Sequence, residues 1–268
     1  MITVNLFLSG HYNGVRLFLL LFCLATALQF TLHAREQLHF WRTMPRRVYG
    51  NPPRLLGRVQ LPALTERQFL LAGGLFVAGL LGATVGILPQ FFLLVALIAY
   101  FFYFNPIMPL AYIQRKTNLI PIVLLILLLS PGLSQPLIQP TPIWPLWLVK
   151  AALAQIYLSA GVQKLRRSGR QWGDGYSLQA YLVEHYLWGD TPAAWWLAQR
   201  LWLCRWISRL TLIFEVSVVL ILVFPALTPL YVVGGLLFHL ATGLTMRIHY
   251  LIYLGPVYLV FMAEYIAA

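Results

Sequence analysis

Three ionisable side chains stand inside runs that otherwise hold almost nothing but hydrocarbon. Glu215 lies in Leu210-Thr-Leu-Ile-Phe-Glu-Val-Ser-Val-Val, His239 in Gly234-Gly-Leu-Leu-Phe-His-Leu-Ala-Thr-Gly, and Lys164 in Ile156-Tyr-Leu-Ser-Ala-Gly-Val-Gln-Lys-Leu. A charge at the centre of a bilayer costs about 2.5–3.5 kcal/mol on insertion scales, so each must have a use or a partner. A carboxyl at position 215 either handles a proton or orients a substrate, or it closes a helix-packing hydrogen bond, to Arg209 or His239. An imidazole at position 239 either binds a ligand or bridges helices. No second histidine falls at ligand spacing on its face, so a metal is not expected, and paired axial histidines for haem are not evident on facing spans. An amine at position 164 is either a base, usable at neutral pH once desolvated, or a side chain snorkelling to the headgroups with Arg166 and Arg167.

The elements that position them are helices. Lys150, Tyr157 and Lys164 recur every seven residues, and Gln155, Ser159 and Gln163 form a second polar stripe at spacing four. A helix polar on two faces cannot present either to lipid, which places it at the centre of a bundle. Thr242, Gly243, Met246 and Tyr250 share the face of His239, and small residues there let a neighbour approach closely.

Composition sets the bundle in a membrane. The 268 residues are 60% hydrophobic and only 10% charged, with a mean hydropathy of +0.76. A soluble domain carries about a quarter charged residues. An ordinary soluble enzyme, a disordered chain and a disulfide scaffold are all excluded. Cys23 and Cys204 are read as inert packing. Eight spans of about 20 residues are predicted: Val15–Ala34, Phe69–Leu88, Phe91–Ile113, Leu119–Ile138, Trp144–Leu165, Ile207–Phe224, Leu230–Arg247 and Leu251–Ala267. The last either breaks or starts late at Gly255-Pro256. The expected fold class is thus all-α, a polytopic transmembrane helix bundle of about eight spans, as one domain over 1–268. No cleavable signal is expected, since the apolar run after Val15 is too long for an h-region.

The formal charge of +12 is concentrated between spans, in the basic, proline-broken stretch 35–68, at Arg115 and Lys116, and in 166–206. The connections 89–90, 133–145 and 225–229 hold no charge. This asymmetry puts both termini outside and the basic loops in the cytoplasm, and makes membrane lipids, not nucleic acid, the expected partner. Trp172, Trp188, Trp195, Trp196, Trp202 and Trp206 mark 166–206 as a segment lying in the membrane interface.

The stretch from Pro145 to Trp188 resembles a known signature. Gln155-Ile-Tyr-Leu-Ser-Ala-Gly-Val-Gln-Lys-Leu followed by Trp172-Gly-Asp-Gly-Tyr-Ser-Leu is similar to the central motif of the HTTM family, the membrane domain of vitamin K-dependent gamma-carboxylases. There a span ending Tyr-x-x-Ala-Gly-Val-Lys-Lys-Leu precedes Trp-x-x-Gly-Tyr-Ser-Met. Phe214-Glu-Val-Ser and Phe238-His extend the likeness, and weaker hydropathy agreement reaches back to about Val15. The resemblance implies that Lys164 takes the place of the lysine that deprotonates vitamin K hydroquinone. Gln163 replaces the first lysine of the pair. The Asn-His pair that often enters the fourth span is reduced to Asn118. No stretch corresponds to the large lumenal domain that holds a protein substrate, so protein glutamate carboxylation is not expected. The resemblance also implies a cytoplasmic start, the reverse of the topology that the arginines give.

Two functions are therefore expected. In one, the protein binds or modifies an isoprenoid quinone or another lipid-soluble substrate in a bacterial-type membrane. Lys164 is then the base, with His239 and Glu215 as the other catalytic groups. Tyr157, Gln163, Trp172, Asp174, Tyr176 and Asn118 would bind the substrate, with Trp172 to Tyr176 closing the chamber. In the other, it is a structural or assembly subunit of a larger membrane protein complex, docking through 35–68 and 166–206. Transport is not expected, because no inverted repeat is visible.

Overall fold

The computed structural model describes residues 12–43, 54–55, 59–60, 64–104, 119–189, 191–248 and 250–267. It is a membrane helix bundle. Ten α-helices run through these residues: α1 (Gly14–Thr43), α2 (Glu66–Val85), α3 (Pro89–Phe104), α4 (Leu119–Leu128), α5 (Trp144–Ser168), α6 (Tyr176–Gly189), α7 (Pro192–Ala198), α8 (Leu201–Ser217), α9 (Thr228–Met246) and α10 (Leu251–Ala267). A two-residue antiparallel ladder joins β1 (Arg54–Leu55) to β2 (Val59–Gln60). Among the described residues, four segments are both long and apolar enough to cross a bilayer: Gly14–Thr43, Glu66–Val85, Trp144–Ser168 and Pro225–Met246. Pro89–Phe104, Leu119–Leu128 and Leu251–Ala267 are shorter apolar helices.

The chain divides into two compact units, residues 1–149 with 256–268, and residues 150–255. In the first unit, α1 buries Val15, Phe18, Leu19, Phe22, Cys23, Ala27 and Phe30, the recurrence of a single helix face. Asn13 starts the helix. Its Oδ1 accepts the Arg16 amide at 2.9 Å and the Thr141 hydroxyl at 2.8 Å, and its Nδ2 donates to the Gly132 carbonyl at 2.9 Å. One N-cap side chain thus also fastens the proline-rich connection 129–143. Arg16 is buried, and its guanidinium donates to the carbonyls of Ala83 at 3.2 Å and Thr84 at 2.6 Å. Those carbonyls end α2, where backbone acceptors are unsatisfied and a cation is favoured. Gly86 closes α2 in the left-handed region at φ 91°, and a Cβ there would meet the Arg16 guanidinium at 2.7 Å.

The α2–α3 hairpin is tight because Gly79 faces backbone: a Cβ would lie 2.8 Å from Ala96 N and from the Phe92 carbonyl. Above it Phe30, Phe69, Phe76, Tyr100, Tyr103 and Phe104 interlock, with Tyr103 stacked 4.2 Å from Phe69 and edge-on 4.7 Å from Phe30. The Tyr103 hydroxyl, at the rim of this cluster, donates to Gln37 Oε1 at 2.7 Å.

Several boundaries differ from the sequence expectation. α1 continues to Thr43, past the predicted end at Ala34, so the helix outlasts its apolar run. α4 spans ten residues rather than the predicted Leu119–Ile138. Pro131 and the left-handed Gly132 (φ 74°) turn the chain soon after it ends. α8 starts at Leu201, before the predicted Ile207, and passes at Val218 into a 3-10 turn that ends at Leu222. α10 runs unbroken through Pro256, the sixth residue of the helix, whose missing N–H costs it one intrahelical bond.

The second unit holds the costly residues. Its core joins Leu182, Ala194, Ala198 and Cys204, with Leu178, Tyr186 and Met246 packed against them. Within 166–206, Trp188, Trp195, Trp196, Trp202 and Trp206 are exposed on the protein surface. The other tryptophan of that segment, Trp172, is half-buried.

Candidate functional site

α5 organises the site through two residues seven positions apart, which places them on one face about 10.5 Å apart along the axis. Lys164 pairs with Glu215 Oε1 on α8. Tyr157 meets His239 of α9, hydroxyl to Nε2, at 2.5 Å. Between them sits Gly161, where a Cβ would be 2.9 Å from Val216 Cγ2 and 3.0 Å from Glu215 Cβ. A hydrogen at that position lets α8 close on α5 at the level of the ion pair. Phe214 fills the adjoining space, edge-on to Tyr157 at 5.4 Å and tilted against Phe238 at 6.2 Å.

Burial is asymmetric. The Glu215 side chain is 4% exposed and Lys164 22%, so the carboxylate is the sequestered member. The His239 residue is 4% exposed. Each buried group uses only one of its two polar atoms. Among the described residues, Glu215 Oε2 and His239 Nδ1 have no hydrogen-bond partner. With the Tyr157 phenol as donor, His239 Nε2 accepts and Nδ1 carries the ring proton, so the free atom is an N–H donor. A buried polar atom without a partner costs about 1–3 kcal/mol. With that tautomer, one acceptor, on the carboxylate that pairs with Lys164, and one donor, on His239, remain open in the second unit.

The segment after α5 folds over the lysine. The Trp172 ring centre lies 5.3 Å from Lys164 Nζ, in a 3-10 turn spanning Gly169–Asp174. Gly175 follows at φ 84°, and a Cβ there would meet Arg205 N at 2.5 Å, so the turn rests directly on the α8 backbone. Asp174 Oδ1 accepts the Tyr176 amide at 3.0 Å and so starts α6.

The structure thus brings together Lys164, Glu215, Tyr157, His239 and Trp172 in one unit. The partner of Glu215 is Lys164, not the Arg209 or His239 that the sequence suggested. Arg209 donates instead from Nε to the Gly173 carbonyl at 3.1 Å. Gln163 and Tyr176 are exposed, Asp174 is partly buried in its helix-starting role, and Asn118 lies outside the described residues. Sequence reasoning missed Gly161 and Phe214. The signal for the first was the small-residue run Ser159-Ala-Gly at the centre of a polar helix. Among the described residues, no group of three His, Cys, Asp or Glu is placed to hold a metal ion.

Residues 133–264 match the HTTM domain family. No curated protein matches the chain, and no solved structure does.

Proposed function

We propose, from the premise that residues 133–264 are an HTTM domain, that this membrane protein binds or modifies a lipid-soluble quinone or another isoprenoid lipid. HTTM domains are found in vitamin K-dependent carboxylase-like membrane proteins. The observation that carries the reading is that two ionisable groups met by α5 each keep an unpartnered buried atom, Glu215 Oε2 and His239 Nδ1, the first of them on the carboxylate that pairs with the Lys164 amine.

The chemistry follows from the two contacts. Lys164 Nζ acts as base toward an acidic O–H of the lipid. It has a free lone pair when the proton that it shares with Glu215 resides on the carboxyl. The O–H bond then breaks, its proton goes to Nζ, and the electron pair stays on oxygen. The oxyanion is formed in a dry, apolar setting, where an aimed N–H donor is worth more than in water. His239 Nδ1–H, which Tyr157 orients two turns along α5 from Lys164, is a donor for a second oxygen of the same lipid. Trp172 over the amine limits its access to water.

Lipid extraction of the protein purified in mild detergent, followed by mass spectrometry, tests this. The wild type retains an isoprenoid lipid, Lys164→Ala and Glu215→Gln lose it, and Trp188→Ala keeps it. An identical lipid complement in all four proteins overturns the reading. In that case stoichiometric membrane partners, recovered after mild solubilisation, would make the protein an assembly subunit.

A further inference from the structure

On the outer side of α8, Arg205 and Arg209 stand one turn apart on one helix face. Both are exposed, and each is steered by its Nε: Arg205 donates to the Asp174 carbonyl at 3.0 Å and Arg209 to the Gly173 carbonyl at 3.1 Å. The nearby Asp174 carboxylate is turned to the Tyr176 amide, so Arg205 meets that residue through its main chain. Among the described residues, no carboxylate lies within ion-pair range of either guanidinium. With Nε engaged, the two terminal nitrogens of each arginine are left as a fork, the arrangement that can take two oxygens of one phosphate. Trp202 and Trp206 flank the pair and are 61% and 57% exposed, and the Arg209 guanidinium lies 5.7 Å from the Trp206 ring centre. Exposed tryptophan beside arginine is the composition of a headgroup-level surface.

We propose that Arg205 and Arg209 form a binding site for the phosphate of an anionic phospholipid headgroup. The exposed indoles lie among the adjoining glycerol and upper acyl groups. Neither arginine is bonded to Lys164, Glu215 or His239, but both hold the turn that carries Trp172 over the amine, so the two lipids are read separately.

The test uses the full chain in nanodiscs of phosphatidylcholine, with and without phosphatidylglycerol, and counts retained phosphatidylglycerol by native mass spectrometry. An arginine near the surface is worth enough that losing two weakens binding about thirtyfold. The expected result is phosphatidylglycerol retention by the wild type, loss of that order in Arg205→Gln/Arg209→Gln, and full retention in Arg166→Gln/Arg167→Gln. Arg205→Lys/Arg209→Lys, which keeps charge without the fork, should fall between. Equal retention by wild type and Arg205→Gln/Arg209→Gln overturns the proposal, as does equal loss in both Gln pairs, which would make the effect one of general charge. Complete displacement by inorganic phosphate also overturns it, because the site would then hold a free anion. Failure here leaves the Lys164 experiment untouched, since that one reads isoprenoid retention.

Discussion

The two units of the molecule differ in how their buried polar groups near helix contacts are completed. In the first unit, Asn13 and Arg16 are both inside and both closed. The Asn13 amide serves the Arg16 amide, the Thr141 hydroxyl and the Gly132 carbonyl, and the Arg16 guanidinium caps the carbonyls of Ala83 and Thr84. Thr26 and Gln29 leave an atom unpaired there, but neither ionises. In the second unit, Glu215 and His239 are ionisable, as deep as Asn13 and Arg16, and each stops at one partner. Closed polarity fixes a helix end or a loop. Half-open polarity retains a cost that a ligand can relieve. That contrast, more than burial itself, is what supports the chemistry proposed for the second unit.

The largest expected effect breaks the open pair. Lys164→Ala leaves the Glu215 carboxyl buried without its cation, a loss of about 3–5 kcal/mol. Lys164→Met/Glu215→Leu removes both charges and should return most of that stability, while lipid retention stays lost. Denaturant titration in micelles with lipid analysis on the same samples separates the two quantities. If the double variant recovers stability and also retains its lipid, the pair is a packing device and the contrast between the units disappears.

Next comes the closed counterpart. Arg16→Gln removes charge-assisted bonds to two carbonyls at the end of α2 and should cost about 2–3 kcal/mol. Lipid retention should be unchanged, as Arg16 belongs to the unit that shows no open ionisable atom among the described residues. Loss of the lipid in Arg16→Gln would extend the functional region into the first unit and blur the distinction.

Much of this was legible because hydrocarbon makes polar residues conspicuous. Lys164, Glu215 and His239 stood out by the cost of their positions, and Tyr157 by its seven-residue offset from Lys164. Their pairing was not legible. Whether Glu215 meets Lys164, Arg209 or His239 depends on the register between α5 and α8, which no single-helix period contains. Asn13 went unread although an Asn before an apolar run is a helix-start signal. It works through Gly132 and Thr141, over a hundred residues away, and that separation hid it. The length of α4 differs from the expectation because residues 133–138 carry no charge and include Leu133, Leu137 and Ile138, which extend the apolar run past the stop signal Pro131-Gly132. Boundaries set by apolarity alone failed in the other direction in α1, where the polar stretch after Ala34 keeps helical geometry to Thr43.

The finest test of the contrast uses two glycines that do the same mechanical job. Gly79 lets α2 and α3 touch, with Ala96 N and the Phe92 carbonyl at 2.8 Å from a built Cβ. Gly161 lets α5 and α8 touch, with Val216 Cγ2 at 2.9 Å and Glu215 Cβ at 3.0 Å. An added methyl forces each pair of helices apart, and overpacking of this kind costs about 1–3 kcal/mol. Gly79→Ala meets backbone, which cannot rotate away, and should lie at the upper end. Gly161→Ala meets the rotatable Val216 Cγ2 first, with Val216 N farther off at 3.3 Å, and should lie at the lower end, yet it pushes on Glu215 Cβ, the root of the arm that carries the carboxyl. The stability order is therefore Gly161→Ala above Gly79→Ala, while the order for lipid retention is reversed. A helix-packing role common to both positions would give the same order in both measurements. Opposite orders require that the α5–α8 contact set the position of Glu215 relative to Lys164, beyond holding two helices together.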